Sequence, residues 1–137
     1  MKNTILLLSV LLALSSPVHS APVVIGHLTG VDQLSAGEAK RLFLGKLKQL
    51  PNGLEPIIIE YPDGAPMRSE FHDKVTSKTE SQLQAYWAKL VFTGKATPPK
   101  TVDSAAAVIA EVVSTPTAIG YIDASDVTDQ VKVIYVP

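Results

Sequence analysis

Short β-branched runs and helical repeats take turns along this chain, and that alternation constrains its fold more than any other feature. Leu83, Tyr86, Trp87, Leu90 and Val91 follow the i, i+3, i+4, i+7, i+8 spacing of a single apolar helix stripe. Ala105, Val108, Ile109, Val112 and Val113 repeat the template. Met67, Phe71 and Val75 recur every four residues behind Pro66, a residue suited to the first position of a helix. An earlier helix opens at Leu34–Glu38, continues through Ala39, Leu42 and Phe43, and stops at Gly45. Ser35 with Glu38, and Thr79 with Gln82, have the spacing of capping boxes. Asp103 is placed to cap the helix that begins near Ala105.

Between these helices stand the strand candidates. They are Pro22–Gly26, Glu55–Tyr61, Ile119–Ile122 and Val131–Val136. The run Ile57-Ile58-Ile59 has no polar alternation, which suits a strand covered on both faces. Pro51-Asn52-Gly53 and Pro62–Pro66 read as turns, and Ala96–Thr101 as an extended linker. Strands separated by helices imply an α/β fold: a mostly parallel sheet with flanking helices.

Residues 1–20 read as a secretory signal peptide. Lys2 supplies the positive charge, Thr4–Leu14 the apolar run, and Ser15–Ser20 a small-residue exit containing Pro17. The run is too short for a membrane span of roughly 20 residues. Val18 and Ser20 fit the −3 and −1 positions for a cut before Ala21. The expectation is an exported, periplasmic protein with one domain over residues 21–137, a length able to bury a core unaided. The chain has no cysteine, so thiol catalysis and cysteine metal sites are excluded. Its formal net charge is −1 and it has no basic stripe, which argues against nucleic acid as a partner.

Catalytic signatures are missing: no G-x-S-x-G, H-E-x-x-H, P-loop or G-x-G-x-x-G motif occurs. His27 and His72 read as unlinked surface or turn residues, and Glu55, Glu60 and Asp63 as solvated strand ends. Trp87 and Tyr121 read as structural residues, so neither an enzyme nor a metal or cofactor site is expected. Ligands of open parallel sheets bind beyond strand C-termini, where helix N-termini offer free amides to anions. Two places qualify: His27-Leu28-Thr29-Gly30 after the first strand, and Asp63–Ser69 after the second. Arg68 adds a forked, permanently charged donor within the first helical turn. Read locally, the favoured reading is that Arg68 is an ordinary exposed side chain and Asp63 a helix cap.

Four segments, taken in order, resemble periplasmic phosphate-binding proteins of ABC transporters. Leu34-Ser35 with Ala39–Lys46 resembles their L-S-x-x-x-x-x-x-F-x-G-K helix. Tyr61–Phe71 resembles their R-x-D-G-S-G-T-x-x-x-F phosphate loop, Tyr86-Trp87 with Gly94-Lys95 the next helix and its exit, and Thr115–Ile122 the T-P-G-A-I-G-Y-V segment. The resemblance implies a periplasmic-binding-protein-like (type II) single domain. It implies non-catalytic binding of a small anion such as phosphate by Thr29, Gly30, Gly64, Ala65, Met67, Arg68 and Ser69. A membrane transporter or sensor is the implied partner. Ala65, Pro66 and Met67 replace the Ser, Gly and Thr of the loop, removing two hydroxyls and one N–H. Each neutral hydrogen bond contributes about 0.5–1.5 kcal/mol, so affinity falls by about two orders of magnitude or more. The alternative is a periplasmic interaction or sensory protein that has lost ligand binding.

Overall fold

The computed structural model describes residues 21–137; the expected signal peptide lies outside the described residues. Five strands form one sheet in the order β3-β2-β4-β1-β5. They are β1 (Pro22–His27), β2 (Ile57–Glu60), β3 (Lys100–Thr101), β4 (Ala118–Asp123) and β5 (Val131–Tyr135). The helices are α1 (Ala36–Phe43), α2 (Pro66–Val75), α3 (Glu80–Phe92) and α4 (Ala105–Ser114).

The α/β class with flanking helices is as the pattern predicts, but the sheet is mixed. β2 pairs in parallel with β3 and β4, whereas β1 runs antiparallel to both β4 and β5. β1 thus opposes the direction that the other strands share. Its Val23, Val24 and Ile25 are as buried as those of a central parallel strand, so burial pattern alone does not reveal direction. Ala96–Thr101 is not wholly a linker: Lys100 and Thr101 pair with Ile59 and Glu60. The cover on β2 also tapers, from 1% exposure at Ile59 to 44% at Ile57.

Alternation along β4 sorts the layers. A Cβ placed on Gly120 would lie 2.6 Å from Val108 Cγ1, so this face meets α4. Tyr121 points the other way, stacking on Phe71 of α2 at 3.7 Å between ring centroids and meeting Phe43 of α1 edge-on. α4 therefore covers one face, and α1 with α2 the other. Trp87 packs with Leu83 and Leu44 in a smaller cluster. Its ring lies 2.8 Å from a Cβ placed on Gly45, which also has φ +68°, so only glycine suits that position. Both capping boxes form as their spacing predicts. At α4 the cap is Ser104, whose hydroxyl accepts the Ala107 amide at 3.1 Å. Asp103 sits one residue too early to reach it.

Candidate functional site

β2 delivers Glu60 and Tyr61 into the core, and the chain then turns through Pro62–Ala65 to start α2. The turn closes with the Ala65 amide donating to Pro62 O at 3.1 Å, and Gly64 adopts φ +80°. The N-cap residue is Ala65, with no side-chain cap, and Pro66 follows at the helix start. Asp63 therefore does not cap α2. Without a cap, the first-turn amides of Met67 and Arg68 have no intrahelical acceptor, and the helix dipole favours negative charge there.

Arg68 is not an ordinary exposed side chain; it retains 6% exposure. Its Nη1 donates to Tyr61 O at 3.3 Å, its Nε donates to Glu80 Oε2 at 3.2 Å, and its Nη2 lies 3.4 Å from Asp63 Oδ1. Glu80 is the first residue of α3. Its other oxygen, Oε1, accepts the Gly64 amide at 3.0 Å and the Gln84 side-chain amide at 3.3 Å. Burial alone raises the Glu80 pKa; the Gly64 amide, Gln84 and Arg68 outweigh it and hold the carboxyl below its ordinary value. One carboxylate thus spans a backbone amide and a guanidinium at the mouth of α2. Sequence reasoning missed it, because Glu80 reads only as a favourable first-turn acid.

Gly64, Ala65, Met67, Arg68 and Ser69 come together around this turn. Ser69 is exposed, while Ala65 and Met67 are half-buried with their side chains packed against the core. Thr29 and Gly30 do not join them. Because β1 is antiparallel, its end lies beside the start of β4 and β2: Gly26 faces Ile119, and Ile57 faces Ala118. The Tyr61–Ser69 turn leaves the opposite end of β2. Thr29 directs its amide and hydroxyl at His27 Nδ1, at 3.1 and 2.8 Å, and the Gly30 amide donates to His27 O at 2.9 Å.

Two further readings need correction. Glu60 is 1% exposed and His72 is fully buried, so neither is a solvated or surface residue. His72 Nε2 lies 2.8 Å from Glu60 Oε2, its Nδ1 lies 3.0 Å from Thr76 Oγ1, and the Tyr121 hydroxyl donates to Glu60 Oε1. Hidden polar groups must satisfy one another, and here all do. The cluster lacks solvent access and braces α2 against β2 and β4. Burial, then the neighbouring acids Asp126, Glu60 and Asp123, push the Tyr61 hydroxyl pKa up to about 12.

Elsewhere on the surface, Phe92 ends α3 with 92% exposure beside the 43% exposed Val91. A cleft of about 510 Å³ opens next to Val91, between Gly45, Lys48, Pro56 and Lys95. Among the described residues no helix is long and apolar enough to cross a membrane.

No protein-family model matches the chain, and no curated protein sequence does. Solved structures do match. An ABC-type phosphate transport receptor from Vibrio cholerae superposes with a TM-score of 0.66 at 15% identity, over 84% of this chain and 45% of that one. A Clostridium perfringens protein with bound phosphate, assigned as a phosphate ABC transporter substrate-binding protein, gives 0.66 at 21% identity, over 84% and 44%. PstS from Borrelia burgdorferi gives 0.64 at 14% identity, over 84% and 46%. The chain therefore spans less than half the length of the structures it matches, and what it shares with them is the fold of solute-binding proteins.

Proposed function

We propose that this is an exported, non-catalytic, solute-binding-like protein that takes a small anion, phosphate or a relative, at the Gly64–Ser69 turn. The observation that carries the reading is the Glu80 carboxylate, held at once by the Gly64 amide and Arg68 Nε. The turn is already shaped around two anionic oxygens. A phosphate there would use those donors, the free first-turn amides of Met67 and Arg68, and the Ser69 hydroxyl. The shared fold with phosphate-transport receptors supports the same direction. Isothermal titration of residues 21–137 with phosphate tests it: heat is expected at millimolar ligand, and its absence removes the binding claim.

The second reading is a periplasmic interaction or sensory partner of a membrane transporter or sensor. Phe92 favours it, since a nearly naked aromatic beside a cleft is a common anchor at protein interfaces. Light scattering that shows a strict monomer, together with measurable phosphate affinity, would count against it.

A further inference from the structure

Resting on the anion-site reading above, we infer that Glu80 is an internal occupant of that site and sets its affinity: an incoming anion binds only by displacing this carboxylate. Three observations lead there. First, the donors are already in use. Gly64 N–H and Arg68 Nε both point at Glu80, at 3.0 and 3.2 Å, so a phosphate cannot use them while Glu80 stays. Second, the local charge is wrong for an anion. Asp63 and Glu80 flank the single Arg68 guanidinium, so a phosphate arriving beside both meets net negative charge. Third, Glu80 has somewhere to go. Its side chain is 20% exposed and belongs to the first turn of a different helix, so it can swing to water without unwinding α2. Arg68 cannot follow, because Nη1 remains anchored on Tyr61 O within the core. The guanidinium is therefore a fixed receptor and the carboxylate its movable plug.

A plug of this kind makes the site weak by construction and specific to conditions that remove the plug. A ligand competes with a tethered group whose effective concentration is in the millimolar range or above. Neutralising or deleting the carboxylate removes both the competition and the repulsion.

The experiment is phosphate titration by calorimetry on residues 21–137 in three forms: unaltered, E80Q and E80A. Sulfate serves as a second probe, and thermal melts confirm that each form is folded. E80Q keeps the shape and an acceptor for the Gly64 amide, so it covers the case in which E80A fails to fold. The expected result is a gain in phosphate affinity of about tenfold or more for both variants over the unaltered protein. Equal, measurable affinity in all three would overturn the plug and leave the anion site standing. No binding of phosphate or sulfate by any folded form would overturn both.

Discussion

Glu60 is one side chain with three bonds to keep, one of them from the Tyr61 amide to Oε1 at 3.2 Å. Oε2 takes His72 and Oε1 takes the Tyr121 hydroxyl, all beyond the reach of water. Replacing Tyr121 by Phe keeps the stack on Phe71 and leaves Oε1 with the Tyr61 amide alone, at 3.2 Å. Losing one buried hydrogen bond costs about 0.5–1.5 kcal/mol, so Y121F is expected to lower the urea-unfolding free energy by that amount. Truncating His72 removes its ring from between Phe71 and Thr76 and strands Oε2. The cavity and the unmet acceptor together should make H72A cost about 3 kcal/mol or more, and the double variant Y121F/H72A should cost less than the two separately. Additive losses would show that Glu60 does not couple the pair. This cluster was illegible in the sequence for a physical reason. Glu60 and Tyr121 stand far apart along the chain and meet only because β2 and β4 pair. His72 lies beside the apolar Phe71 on α2, and nothing local says which face of the helix β2 will bury. The Arg68 turn was half legible: Pro66 and the glycine before it mark a helix start, but the acid that fills it comes from α3.

The starts of α1 and α3 could be read because their caps are local, and the direction of β1 could not. Ser35–Glu38 and Thr79–Gln82 complete their bonds within a single turn. Whether β1 runs with or against β4 depends on connections elsewhere, and its reversal is what parts Thr29 and Gly30 from the Gly64 turn. Packing between elements yields a prediction of its own. Gly120 lets α4 approach β4, with the Val108 methyl and Ile59 Cβ within 2.6 and 3.3 Å of any added Cβ. G120A forces the helix away from the sheet; overpacking of this sort costs about 1–3 kcal/mol, read as a lower denaturant midpoint. The α2–α3 junction responds to pH instead. Folding depresses the Glu80 carboxyl through its Gly64, Gln84 and Arg68 partners, which together outweigh burial. Its stabilisation is thus present above the ordinary glutamate pKa and fades as pH falls through the lower folded value. Melting temperature should drop less in E80Q than in the unaltered protein between pH 5 and 3; parallel profiles would mean the carboxylate does not couple to folding.

At the scale of the whole molecule, the residue just before β1 is tied to the end of the neighbouring strand β4. The Ala21 amide donates to Asp123 Oδ2 at 2.9 Å, and Ala21 O accepts the Ala124 amide at 2.9 Å. Asp123 is also held by the Ser125 hydroxyl and amide, and these, ahead of the Ala21 amide, lower its carboxyl pKa. Consider a leader cut before Ala21. The neutral amide becomes an ammonium without moving, and a hydrogen bond already in place becomes charge-assisted. A cut one residue later deletes the group that Asp123 holds, together with the carbonyl that Ala124 uses. For a leader cut there, the product begins Ala21-Pro22-Val23-Val24, which terminal sequencing reads. In that product D123N should lower stability by at most about 1 kcal/mol, since exposed pairs contribute little. The same change in the uncut chain should matter less, because there an amide replaces the ammonium. A product starting at Pro22, or equal losses in cut and uncut protein, would show that Asp123 does not receive the new terminus.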